Sequence, residues 1–160
     1  MSSIIVVISF ILDIITSNIF PYMRENLSLL TPLFVPVSIY LIYPYYKSNN
    51  KYLNLTIIIG FIYDIFMTNY LPLNSFLFFI IGIETIYINK LFKLNFITLL
   101  VFTILIIISY ELIEGILLYL TGIIEIDIKE IIYYITNSLL INVIYSLIIS
   151  NINIKKYRNV

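Results

Sequence analysis

The chain has 160 residues, 61% of them hydrophobic and 11% charged, with nine basic residues balancing nine acidic ones and a mean hydropathy of +1.04. That much apolar surface cannot be hidden inside one soluble domain of this size, so the composition points to a membrane protein with several spans. The absence of cysteine and histidine excludes disulfides, thiolate metal sites and the commonest general base and metal ligand.

Breaks in hydrophobicity predict six helices, over 3–20, 30–46, 53–69, 72–89, 96–120 and 131–151. The first has no basic stretch before it and carries Asp13 within its apolar part, which reads as a retained span rather than a cleaved signal. The loops "PYMRENLS", "KSNNK", "YLP", "KLFKLN" and "TGIIEIDIKE" connect the six, with Pro21, Pro72 and Gly122 at expected starts and stops. Residues 53–89 are read as a tight hairpin with an outer tip at 70–74, because one helix of 37 residues would overshoot a bilayer of about 30 Å. A five-span or seven-span chain remains open if that hairpin is divided differently. The expected fold is a single all-α membrane domain over 1–160.

The charges set an orientation. With six spans and an internal N-terminus, Lys47, Lys51, Lys90, Lys93, Lys155, Lys156 and Arg158 lie on the cytoplasmic side, leaving only Arg24 and Lys129 outside. Short loops biased in this way follow the positive-inside rule, so both termini are expected in the cytoplasm. Glu25, Glu125, Asp127 and Glu130 fall outside, whereas Asp13, Asp64, Glu84, Glu111 and Glu114 fall within predicted helices.

Those five acids have no intramembrane Lys or Arg to pair with. Each must be protonated, reached by water, or bonded to backbone or to neighbours such as Tyr63, Asn69, Asn74, Ser75, Asn137, Ser138, Asn142, Tyr145 and Ser146. Three readings are open: hydrogen bonds that knit the bundle, a proton or solute path, or a polar surface shown to another membrane protein. Glu111 and Glu114 share a helix face, and Glu84 is placed to reach the inner interface. Gly60 and Asp64, four apart, share a stripe over which a neighbouring helix can approach closely and hydrogen-bond. No nucleophile–base arrangement, phosphate loop or metal cluster is visible, so neither an enzyme nor a cofactor or metal site is expected.

The segment "IIIGFIYDIFMTNYLPLNSFLFFIIG" resembles the central signature of the rod-shape-determining MreD family: a glycine shortly before a Tyr–Asp pair, a short polar turn, and a second apolar helix ending in a small residue. "LLTPLFVPVSIYLIYPYY" is similar to the family's second helix, which opens on a proline, and "ITNSLLINVIYSLIISNINIKKYR" to its last helix with its basic tail. The chain departs from the pattern at Leu71, Pro72 and Leu73, where the family has small residues, and at Asp13, where it often has glutamine. The resemblance implies a non-enzymatic membrane scaffold acting with MreC, MreB, the glycosyltransferase RodA and a class B penicillin-binding protein in lateral wall synthesis. Its fold would resemble the six-helix substrate-binding subunits of ECF transporters. Gly60, Tyr63, Asp64, Pro32, Asn137 and Tyr145 match the family's positions and are the expected packing or partner-binding residues. The alternative is a small-molecule-binding subunit of an ECF-type transporter.

Overall fold

The computed structural model describes residues 2–19, 32–68, 72–92, 95–122 and 128–157. Six α-helices occupy them: α1 Ser2–Ile19, α2 Phe34–Ile42, α3 Asn49–Tyr63, α4 Leu73–Leu91, α5 Phe96–Leu120 and α6 Ile128–Tyr157. No strand occurs among the described residues. Each expected helix has its counterpart, and the all-α class is observed. The stretches Ile97–Leu120 and Ile131–Asn151 are long and apolar enough to cross a membrane.

Local chemistry explains several ends. Asn95 Oδ1 accepts from Thr98 N at 2.8 Å while Thr98 Oγ1 accepts from Asn95 N at 2.7 Å, a reciprocal cap that starts α5 at Phe96. The same helix stops at Gly122, whose φ of 72° lets its N–H turn back to Tyr119 O. Pro21 and the first loop, Asn69 to Leu71, Lys93 and residues 123–127 lie outside the described residues.

The second helix departs from expectation. Its nine residues rise only about 14 Å, because Pro44 cannot continue the backbone ladder and the chain tightens into a 3₁₀ turn over Tyr43–Tyr45. All nine residues of α2 are buried, as befits a helix that is apolar all round. It packs against α1, α4, α5 and α6 and is the centre of the bundle.

The third helix ends in a wider π turn, Asp64–Thr68, and α4 returns antiparallel beside it. A Cβ on Gly60 would collide with Asn74 O and stand 2.5 Å from Ser75 Cα, so two backbones touch there without a side chain between them. The expected outer tip at 70–74 is corrected in part. Asn74 already belongs to α4 and is fully buried, because this close approach draws the first turn of α4 inward.

The bundle has an apolar core, holds polar side chains within it, and is apolar over much of its outside as well. Ser9, Asp13, Ser38, Asp64, Asn74, Thr103, Ser138, Asn142 and Ser146 are buried, whereas Ile4, Val7, Ile11, Ile58, Phe61, Phe66, Ile104, Leu105, Ile116, Ile144 and Ile148 face outward. Several buried hydroxyls, on Ser9, Ser38, Thr103, Ser138 and Ser146, donate to a carbonyl of their own helix three or four residues back.

The glycine contacts separate two substitutions. Gly60→Ala is expected to lower stability by about 1 to 3 kcal/mol or more, since backbone must move. At Gly82 a Cβ would stand 3.0 Å from Leu53 Cδ2 and 3.1 Å from Thr56 Oγ1, side-chain atoms and not backbone, so Gly82→Ala should cost less than Gly60→Ala. Thermal unfolding of both variants in detergent micelles checks the order.

Candidate functional site

Asp64 lies at the end of α3 with no exposed surface. Its Oδ1 accepts from Asn74 N at 2.8 Å and Asn74 Nδ2 at 2.9 Å, and its Oδ2 from Ser75 N at 3.1 Å and Ser75 Oγ at 3.2 Å. Asn74 and Ser75 are the second and third residues of α4. Pro72, at the preceding cap position, has no side-chain acceptor to offer them. The carboxylate of α3 therefore caps α4 from across the hairpin, at the end of a helix where the backbone dipole favours negative charge. The helix that closes over Gly60 is α4 of the same chain.

The cap extends to α5. Tyr110, buried, donates its hydroxyl to Asn74 Oδ1 at 2.8 Å, and Glu114 Oε1 lies 3.4 Å from the same hydroxyl. Asp64, Asn74, Tyr110 and Glu114 thus form one polar line through α3, α4 and α5.

A second carboxylate repeats the arrangement. Asp13, in α1 and only 2% exposed, accepts Phe34 N on Oδ1 at 3.1 Å and Val35 N on Oδ2 at 3.0 Å. Leu33 N donates to Asn142 Oδ1 of α6 at 2.8 Å. Pro36 comes next and has no N–H, and Val37 N begins the helical ladder on Leu33 O at 3.1 Å. Every main-chain donor at the start of α2 is accounted for.

Side chains lock this second joint. Asn142 Nδ2 donates to Ser138 O at 2.7 Å, which fixes the amide so that its oxygen faces Leu33. The Tyr145 hydroxyl is hydrogen-bonded to Ser9, and its ring lies 4.7 Å from that of Phe34. A run of rings, Phe10 to Tyr63 at 5.7 Å, Tyr63 to Phe78 at 5.4 Å and Phe78 to Tyr110 at 6.3 Å, connects α1, α3, α4 and α5. That run of rings leads from the helix that carries Asp13 to Tyr110 beside Asn74, and so links the two joints.

The expected residues therefore divide. Gly60, Tyr63 and Asp64 meet at the α3–α4 joint, and Tyr145 belongs with Asp13 at the start of α2. Pro32 precedes that joint and is partly buried. Asn137 takes no part in either cap, and its Nδ2 is buried without a hydrogen-bond partner among the described residues. Glu84 is partly buried on α4, with Ser109 of α5 beside it. Glu111 is partly buried on α5.

Ser9 and Tyr110 escaped the sequence reading. Ser9 carried a usable signal: a small residue four positions before an aspartate, the same spacing as Gly60 and Asp64. In both places the acid caps the helix that follows, while Gly60 admits a neighbouring backbone and Ser9 hydrogen-bonds to Tyr145. No protein-family model, curated protein or solved structure matches the chain.

The geometry ranks substitutions at the caps. Asp64→Leu strands two buried main-chain donors, an expected loss of about 2 to 6 kcal/mol at about 1 to 3 kcal/mol per orphaned group. Asp64→Asn keeps one acceptor but turns an NH₂ toward donors, so it should fall between wild type and leucine. The pair Asp13→Asn and Asp13→Leu should repeat that order. Tyr110→Phe removes one hydrogen bond from a residue that stays packed, an expected loss of about 0.5 to 1.5 kcal/mol. The folded fraction along a denaturant series in micelles reads all five variants, and equal stability of Asp64→Leu and wild type would refute the capping role.

Proposed function

We propose that the chain is a non-catalytic, multi-span scaffold subunit of the bacterial cytoplasmic membrane, of the MreD kind, which acts with MreC to place wall-synthesis proteins. The observation that carries this reading is the joint made by Gly60, Tyr63 and Asp64. The residues on which the family resemblance rests are spent on architecture: a close backbone approach, a buried ring and a remote helix cap. A motif of that kind builds a rigid shape for partners to dock against. It leaves neither of the two capping carboxylates open to a solute, since each is filled by main-chain N–H groups.

Membrane placement is supported by the many large apolar side chains on the outside of the bundle and by its two long apolar helices. In this reading all six helices lie in the bilayer, α2 as a half-length helix enclosed by protein, where its capped start is tolerated at membrane depth. Both termini are cytoplasmic, with seven of nine basic residues on that side. The outward faces of the other helices are available to lipid and to partner spans such as that of MreC. MreB, RodA and a class B penicillin-binding protein would join the same assembly.

Mild crosslinking in native membranes, purification of the tagged full chain and mass spectrometry test the reading. Recovery of MreC with wall synthases is the expected result. Recovery of a pair of energising ATPases instead would favour a solute-binding transporter subunit and overturn the scaffold. A reporter fused to the C-terminus is expected to be active only on the cytoplasmic side, and activity outside would reverse the orientation.

A further inference from the structure

Where α2 ends and α3 begins, tyrosine and lysine crowd together in "YPYYKSNNKY", residues 43–52. Tyr52 is fully buried and donates its hydroxyl to Ile39 O at 3.0 Å. The rings of Tyr43 and Tyr46 pack on it at 5.0 and 5.9 Å, and Tyr43 donates to Asn49 Oδ1 at 3.2 Å. This makes a fixed aromatic base from which Lys47 and Lys51 point outward, both exposed.

A third lysine reaches the same rim from α4. Gly60 abuts Asn74 and Ser75, and Gly82 abuts Leu53 and Thr56, so the antiparallel register carries the end of α4, with Lys90, to the end of the bundle where α3 starts. Its Nζ stands 5.6 Å from the centre of the exposed Tyr87 ring. Leu91 and Phe92, next in the chain, are 75% and 53% exposed. Residues 43–52 and 85–92 contain no acid, so the three ammonium groups are not neutralised from within their own segments.

We propose that this rim is a binding surface for anionic phospholipid headgroups; the proposal rests on the membrane placement above and adds a lipid preference to it. Two chemistries side by side select that occupant. The three lysines, from two segments, attract a phosphate anion, and each is worth roughly 5-fold in affinity for an anionic surface. The tyrosines, Leu91 and Phe92 suit the boundary where headgroups meet acyl chains, as aromatic belts do. A free phosphate would satisfy the lysines but leave Leu91 and Phe92 in water.

The test uses the full chain incorporated into vesicles of phosphatidylcholine alone and of phosphatidylcholine with an equal part of phosphatidylglycerol. Retained lipid is then counted by native mass spectrometry after mild extraction. Wild type is expected to retain phosphatidylglycerol in preference to phosphatidylcholine, and less so at high salt. The triple variant Lys47→Gln, Lys51→Gln, Lys90→Gln should lose that preference by on the order of 100-fold. The corresponding triple arginine variant should keep it, which excludes misfolding as the cause, and Lys129→Gln at the opposite end should leave it unchanged. Equal retention of both lipids by wild type, an unaffected glutamine triple, a Lys129→Gln variant as damaged as the triple, or displacement of the lipid by inorganic phosphate would each overturn the proposal. Incorporation into phosphatidylcholine without any headgroup preference would overturn this surface alone, whereas failure to incorporate into either vesicle would overturn the membrane placement itself.

Discussion

The start of a helix exposes main-chain N–H groups that its own ladder cannot satisfy, and burying them without partners costs about 1 to 3 kcal/mol apiece. In this bundle two helices begin in the interior, and each is closed by an aspartate from the helix before it: Asp13 for α2 and Asp64 for α4. The acids that look misplaced in an apolar sequence are the hydrogen-bond acceptors those helix ends require. Each carboxyl group meets main-chain N–H donors at the start of the next helix, so its oxygens are satisfied without a lysine or arginine beside it.

Tight backbone packing follows from that requirement. A carboxylate on a short side chain can cap a neighbouring helix only if the two backbones come close, and Gly60, one turn before Asp64, supplies the room. Ser9, one turn before Asp13, serves the first joint differently, by hydrogen-bonding to Tyr145 and so tying α6 to α1. With Asn142 holding Leu33 N, the start of α2 is bound to both the first and the last helix. Residues far apart in the chain thereby enclose a helix of nine residues that could not bury its ends alone.

The remaining surface divides by chemistry. Apolar faces of α1, α3, α5 and α6 point outward, polar groups point inward, and the lysine–tyrosine rim marks the end at which α2 stops and α3 starts. A bundle built this way is tied together by hydrogen bonds in its interior and is apolar on its outer faces.

The sequence by itself determined the helices. Composition demanded several apolar segments, their interruptions located six, and the ends of α1, α4 and α5 fall within two residues of where hydrophobicity, Pro72 and Gly122 placed them. Those signals are local, carried by a residue and its near neighbours. The spacing of Gly60 and Asp64 likewise announced a close helix contact, because one turn of helix puts both on one stripe. Only the tertiary structure decided which helix makes that contact and what the acids bind. The acceptors and donors concerned lie 10 and 11 residues apart at Asp64, 21 and 22 at Asp13, and 109 between Asn142 and Leu33. No local propensity encodes such pairings, since a helix N–H can be satisfied by any acceptor that packing brings within reach, and that packing exists only once all six helices are assembled.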